Sequence, residues 1–208
     1  MRILGHRGYW KDPSEKNREI AFARAFDLGF GVETDVRDLA GTLVISHDPP
    51  YGAELTLDAF LEVLGPRDVP LAINVKSDGL AGALRDIMRR HAVIDWFAFD
   101  MSVPDMRGQI AAGNPVFARV SELEPWQPWM ASTRGVWLDA FDSEWYGTGT
   151  LAALLAEVGR VCIVSPELHG RPHRPLWDAL RPLRGDPRIL LCTDHPEQAA
   201  DFLGNDHD

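Results

Sequence analysis

Short apolar runs rich in β-branched and aromatic residues alternate along the chain with longer segments of helical period. Parallel βαβ units impose this pattern, because a parallel strand must be followed by a crossover element before the next strand can form. Candidate strands fall at residues 2–6, 31–37, 71–76, 96–100, 116–120, 136–139, 161–165 and 189–192. Helical spacing marks residues 17–28, 57–64, 80–91 and 150–158, with Gly29, Gly65 and Gly159 as stops. A further apolar run at 42–46 follows Gly41 and reads as a short partner to the end of the second strand, carrying His47 into a loop. The stretch 124–129, rich in Pro and Trp, reads as a loop or an irregular helix start. Strand then helix throughout, repeated over 208 residues, predicts a compact (β/α)8 TIM barrel in a single domain spanning 1–208.

The composition, 45% hydrophobic and 25% charged, is that of a chain able to bury one substantial core. A net charge of -10 disfavours unspecific nucleic-acid binding, which needs a dense positive field, but leaves room for small anions received by local cations or metal ions. Met1 leads directly into an apolar strand, with no signal segment and no membrane span, so a cytoplasmic protein is expected. Cys162 and Cys192 each sit in an apolar run and read as buried free thiols. Trp96, Trp137 and Trp177 are expected in the core, whereas Trp126, Trp129 and Trp145 fall in loops on the catalytic face, where packing is the commoner role and walling a pocket the other.

Barrel active sites form at the C-terminal ends of the strands. There the chain places His6 and Arg7, Glu33 and Asp35, Asn74 and Lys76, Asp100, Arg119, Asp139, Glu167 and His169, and Asp194. For Asp100 and Asp194, solvation or capping of the next helix is the preferred reading. Glu33 and Asp35 differ, because two residues apart on a strand they share one face and come within reach of a single hard cation. His6 and His47 each end an apolar strand; singly each reads as a core histidine, but together they suit a general base and a general acid. His91, His173, His195 and His207 receive no role.

GHRG at 5–8, ETDV at 33–36 and SHD at 46–48, closed by Cys192-Thr193-Asp194-His195-Pro196, resemble the glycerophosphodiester phosphodiesterase family in order, spacing and strand context. The resemblance implies a barrel, a divalent metal ion (Mg2+ or Ca2+), catalytic His6 and His47, and metal-binding Glu33 and Asp35. It also implies a small-molecule substrate of lipid metabolism, a glycerol-linked phosphodiester cleaved to glycerol phosphate and an alcohol, with a cyclic phosphate intermediate. Arg7 and Lys76 would add positive charge at the phosphate.

Where the family usually carries Pro-Glu-Asn-Thr, this chain reads Glu15-Lys16-Asn17-Arg18, and its usual Glu-x-Lys is Asn74-Val75-Lys76. An amide oxygen from Asn74 can still serve a hard cation, and Glu167 is the expected source of the missing negative charge. A diverged member is therefore expected. The alternatives are a cyclising enzyme of the phosphatidylinositol phospholipase C type, a catalytically silent phosphodiester-binding barrel, and a barrel of unrelated chemistry.

Overall fold

The computed structural model describes residues 1–204, and His207 lies outside them. In chain order the elements are β1 (Arg2–His6), α1 (Glu19–Asp27), β2 (Gly31–Leu39), β3 (Thr42–Ile45), α2 (Leu57–Leu64), β4 (Leu71–Val75), α3 (Ala81–Arg90) and β5 (Trp96–Phe99). There follow α4 (Val103–Ala111), β6 (Phe117–Val120), β7 (Gly135–Leu138), α5 (Thr148–Val158), β8 (Val161–Val164), α6 (Arg174–Leu180), β9 (Ile189–Thr193) and α7 (Pro196–Gly204). The strands run β5-β4-β2-β1-β9-β8-β7-β6, each paired in parallel with the next, and β3 hangs antiparallel on β2. The two ends meet through one bridge, Ala98 to Val116, with the Ala98 amide donating to Pro115 at 2.8 Å. The expected (β/α)8 barrel is thus the architecture, with one departure. After β6 the crossover holds only a 3-10 turn, Pro128–Ser132, since Pro125 and Pro128 each remove an amide donor from a segment too short for a full helix. No helix among the described residues is long and apolar enough to cross a membrane.

Strand alternation divides the apolar residues into two cores. Val32, Val36, Ile73, Val136 and Ile163 point outward under the helices, where Phe22 of α1 meets Phe60 of α2 edge-on at 4.6 Å. Leu4, Ala72, Phe97, Phe117, Trp137 and Cys192 point inward and fill the barrel. Both cysteines are buried and free, and Trp96, Trp137 and Trp177 are buried as expected. Helix boundaries follow local chemistry: the Thr56 hydroxyl accepts from the Ala59 amide at 3.1 Å to start α2, and Gly65, at φ +58, ends it. Ser102 caps α4 in the same way, with Pro104 in its first turn.

The inner core is aromatic on one side. Phe97 stacks on Phe117 with centroids 3.7 Å apart, and Phe99 on Trp137 at 3.8 Å. Gly135 stands in register with Phe117, and a Cβ there would come within 2.4 Å of the Phe117 ring. Gly135→Ala should therefore cost about 1–3 kcal/mol by overpacking. Gly82→Ala, on α3 with nothing within 4 Å, should instead gain about 0.5–1 kcal/mol. Urea denaturation of the two variants checks the contrast, and equal midpoints would contradict the packing described.

Candidate active site

At the C-terminal mouth, strand register sets the polar residues side by side. His6 of β1 pairs in register with Glu33 of β2, and Asp35 of β2 with Asn74 of β4. Alternation turns His6, Glu33, Asp35 and Asn74 inward, in phase with the barrel core below. Glu33 is 2% and Asp35 1% exposed, so both carboxylates sit in surroundings that disfavour charge unless it is compensated. The loop after β1 supplies the compensation. Arg7 donates its amide to Glu33 Oε2 at 3.2 Å and holds its guanidinium 3.0 Å from Asp35 Oδ2. Asn17 donates to the same Asp35 oxygen at 2.8 Å and accepts from the Thr34 hydroxyl at 2.8 Å. Lys76 reaches Asp35 Oδ1 at 3.5 Å and Asp100 at 3.2 Å.

Two buried oxygens of the mouth nevertheless form no hydrogen bond: Asn74 Oδ1 and, on its register partner, Asp35 Oδ1, which has only the longer ion pair with Lys76. These oxygens and the Glu33 carboxylate are donors of the type that Mg2+ or Ca2+ takes. Among the described residues no three His, Cys, Asp or Glu side chains are grouped as a metal site, so such a set depends on the Asn74 amide. Glu167, expected to bring the compensating charge, already has three hydrogen-bond donors. Its carboxylate accepts from the Thr193 and Ser165 hydroxyls and, at 3.1 Å, from the Asp194 amide. Hydroxyl and amide donors already stabilise that charge, which leaves it little to offer a cation.

His6 has a partner that sequence reasoning set aside as a cap. Its Nδ1 lies 2.7 Å from Asp194 Oδ1, and its Nε2 lies 3.9 Å from Glu33. A proton on Nδ1 is thus held by Asp194, leaving Nε2 turned toward the mouth, the arrangement that orients a catalytic imidazole. Burial pushes the Asp194 carboxyl upward, but the hydrogen bond and charge of His6, aided by Lys16 and His195, outweigh it and hold the group below its usual range. The signal in sequence was the Thr-Asp-x-Pro run itself. Asp100 was also read as a cap, yet it receives Lys76 and an ion pair from Arg119, which in turn binds Glu124.

His47 is brought to the rim rather than to the centre. It is about half exposed, its Nδ1 lies 2.9 Å from Asp48, and it lines a cleft of about 240 Å³ together with Arg7 and Asn17, which both touch Asp35. Asp139 pairs with His169 at 2.7 Å and accepts the Trp145 indole at its carbonyl, while Trp129 lines a small hollow with Asp100 and Arg119.

No protein-family model matches the sequence, and no curated protein matches it. The fold does have solved counterparts. A glycerophosphodiester phosphodiesterase from Agrobacterium tumefaciens superposes with a TM-score of 0.74 over 99% of this chain and 100% of that one, at 18% identity. A phosphodiesterase from Oleispira antarctica, in complex with its product sn-glycerol-3-phosphate, superposes at 0.74 over 99% and 97%, at 15% identity. A Ca2+-dependent phosphatidylinositol-specific phospholipase C from Streptomyces antibioticus gives 0.55 over 97% and 95%, at 11% identity. The chain is structurally similar to these enzymes along its whole described length.

Burial, followed by the repulsion of Asp35, pushes the Glu33 carboxyl up to about 7 in the metal-free protein, against the pull of His6, Arg7 and Lys76. The folded state therefore keeps a proton that the unfolded chain releases from about pH 4.5 upward. Stability should fall as pH rises from there to about 7, by about 3 kcal/mol at most. Urea titrations in chelator should show the wild type losing this stability between pH 5 and 8, and Glu33→Gln losing much less. Parallel pH profiles for the two proteins would contradict the assignment.

Proposed function

We propose that this chain is a metal-assisted phosphodiesterase acting on a small glycerol-linked phosphodiester. The observation that carries the reading is the pair of buried oxygens on Asp35 and Asn74 that form no hydrogen bond, set in the barrel mouth beside an Asp194-oriented His6. Buried acceptors left without donors cost about 1–3 kcal/mol each, and a fold retains such a cost where a ligand removes it. The similarity to solved phosphodiesterases over nearly all of the chain supports the same reading.

Glu33, Asp35 and Asn74 would hold the divalent cation. When bound, it supplies a fixed positive charge that stabilises the negative charge growing on the phosphate oxygens. The chain's own residues do the rest. Arg7 and Lys76, both already at Asp35, set positive charge against the phosphate and orient it. His6 and His47 divide the proton transfers between them, one taking the proton of the attacking hydroxyl or water and the other giving one to the departing alcohol oxygen. Asp194 keeps His6 in one tautomer and one orientation. Glu167 steadies Asp194 through the backbone amide.

Hydrolysis of a glycerophosphodiester, followed by phosphorus NMR with Mg2+ or Ca2+ present, tests the function directly. His6→Ala and His47→Ala should each lower kcat by about 10²- to 10⁴-fold while leaving the urea midpoint nearly unchanged. Activity retained in either variant would remove that histidine from the chemistry. Chelator should abolish turnover and leave the circular dichroism spectrum intact, because the barrel core lies below the mouth. Calorimetric titration of the metal should show Asn74→Ala losing about tenfold or more in affinity and Glu167→Gln losing less. The opposite order would make Glu167 a ligand.

A further inference from the structure

The cleft beside the carboxylates is lined by Arg7, Lys16, Arg18 and His47, and also by the acids Asp48 and Glu54. It brings cations together on a chain whose net charge is -10. Arg7 is paired with Asp35, whereas Lys16 and Arg18 have no such carboxylate partner in contact among the described residues. Among the described residues neither side chain forms a hydrogen bond or an ion pair. The Lys16 ammonium lies 4.3 Å over the Trp10 ring and feels Asp194 at longer range.

The nearby acids are engaged otherwise. Glu15 binds Arg24 and the Lys11 amide, each at 2.8 Å. Asp48 holds His47, and Glu54 takes the amides of Tyr51 at 2.9 Å and Gly52 at 2.7 Å. Glu19, next to Arg18, makes no ion pair with it. The two cations are also not adrift on a loose loop. Asn17 between them has φ +58, its amide donates to the Arg7 carbonyl at 3.0 Å, and its side chain is clamped between Thr34 and Asp35. One clamped residue thus serves the proposed metal carboxylate and sets the backbone from which a cation projects on each side.

We infer that the substrate carries a second phosphate, a phosphomonoester on one of its two alcohols, which Lys16 and Arg18 receive while the diester phosphate lies at Arg7, Lys76 and the metal carboxylates. This rests on the proposed phosphodiesterase reading. Two cations match the two negative charges of a phosphomonoester, and the walls of a concave cleft concentrate their field. In the reaction, water adds its hydroxyl to the diester phosphorus, the phosphorus–oxygen bond to one alcohol breaks, and that oxygen leaves with a proton. The second phosphate is unchanged.

Calorimetric titration with sn-glycerol 3-phosphate, glycerol 1,3-bisphosphate and 3-phosphoglycerate, at constant Mg2+, reads the inference without requiring turnover. The bisphosphate should bind about tenfold tighter than the monophosphate, and the advantage should shrink to about threefold or less in Lys16→Ala/Arg18→Ala. Raised salt should shrink it too. Equal affinity for the two, or an advantage untouched by the double substitution, would overturn the inference. Tighter binding of 3-phosphoglycerate than of the bisphosphate would overturn it in favour of a carboxylate. The affinity pattern without any diester turnover defeats the catalytic reading alone, and diester turnover without the pattern defeats this one alone.

Discussion

Two carboxylates buried two residues apart on one strand are the constraint to which the rest of the mouth answers. Burial and mutual repulsion both oppose their charge, so every neighbouring element contributes something that lowers its cost. The loop after β1 gives the Arg7 amide and guanidinium and, further on, Asn17; β4 ends in Lys76; β1 ends in His6. The compensation then spreads round the rim. Lys76 also binds Asp100, Asp100 binds Arg119 and Arg119 binds Glu124, while on the other side His6 binds Asp194, whose amide is held by Glu167. A charge placed at the centre has organised most of the barrel's upper edge.

The backbone bears part of this arrangement. Arg7, Asn17 and Asp100 all adopt positive φ, between 57 and 68°, which side chains with a Cβ seldom do outside glycine. All three are members of the ion network, and the strain of each, of order 1 kcal/mol or more, is tolerated because the surrounding contacts fix the loops. The stability that permits it comes from below, where the aliphatic outer core and the aromatic inner core are both closely filled. Mouth and body thus divide the labour between strained polar loops and a packed apolar cylinder.

The strands were legible because alternation shows itself within a few residues, and α2 was legible to the residue because Thr56 and Gly65 are local signals. The candidate residues His6, Glu33, Asp35 and His47 could be picked out for the same reason: His6 ends β1, Glu33 and Asp35 alternate on β2, and His47 follows β3. Contacts between distant parts of the chain could not be read. Asp194 lies 188 residues from His6, and the Thr-Asp-x-Pro run around it does not say which residue it meets. Glu167 was expected at the metal by charge counting alone, but two hydroxyls and an amide, invisible to such counting, take its oxygens. The helices α4, α6 and α7 were not bounded in advance, and α4 is set as much by its Ser102 cap and Pro104 as by an apolar face.

The barrel's closure has a character of its own. Elsewhere neighbouring parallel strands share several register pairs, but β5 and β6 share a single bridge, and the crossover that follows β6 is reduced to a 3-10 turn. What spans this join is the face-to-face contact of Phe97 and Phe117, with Phe99 and Trp137 beside it. The cylinder is therefore sewn shut by stacked rings beside a single amide bridge. Such a seam conceals two half-free strand edges from solvent and from other chains. It also marks the line along which the wall can part, by thermal breathing or by an insertion over evolutionary time, without disturbing the carboxylates on β2.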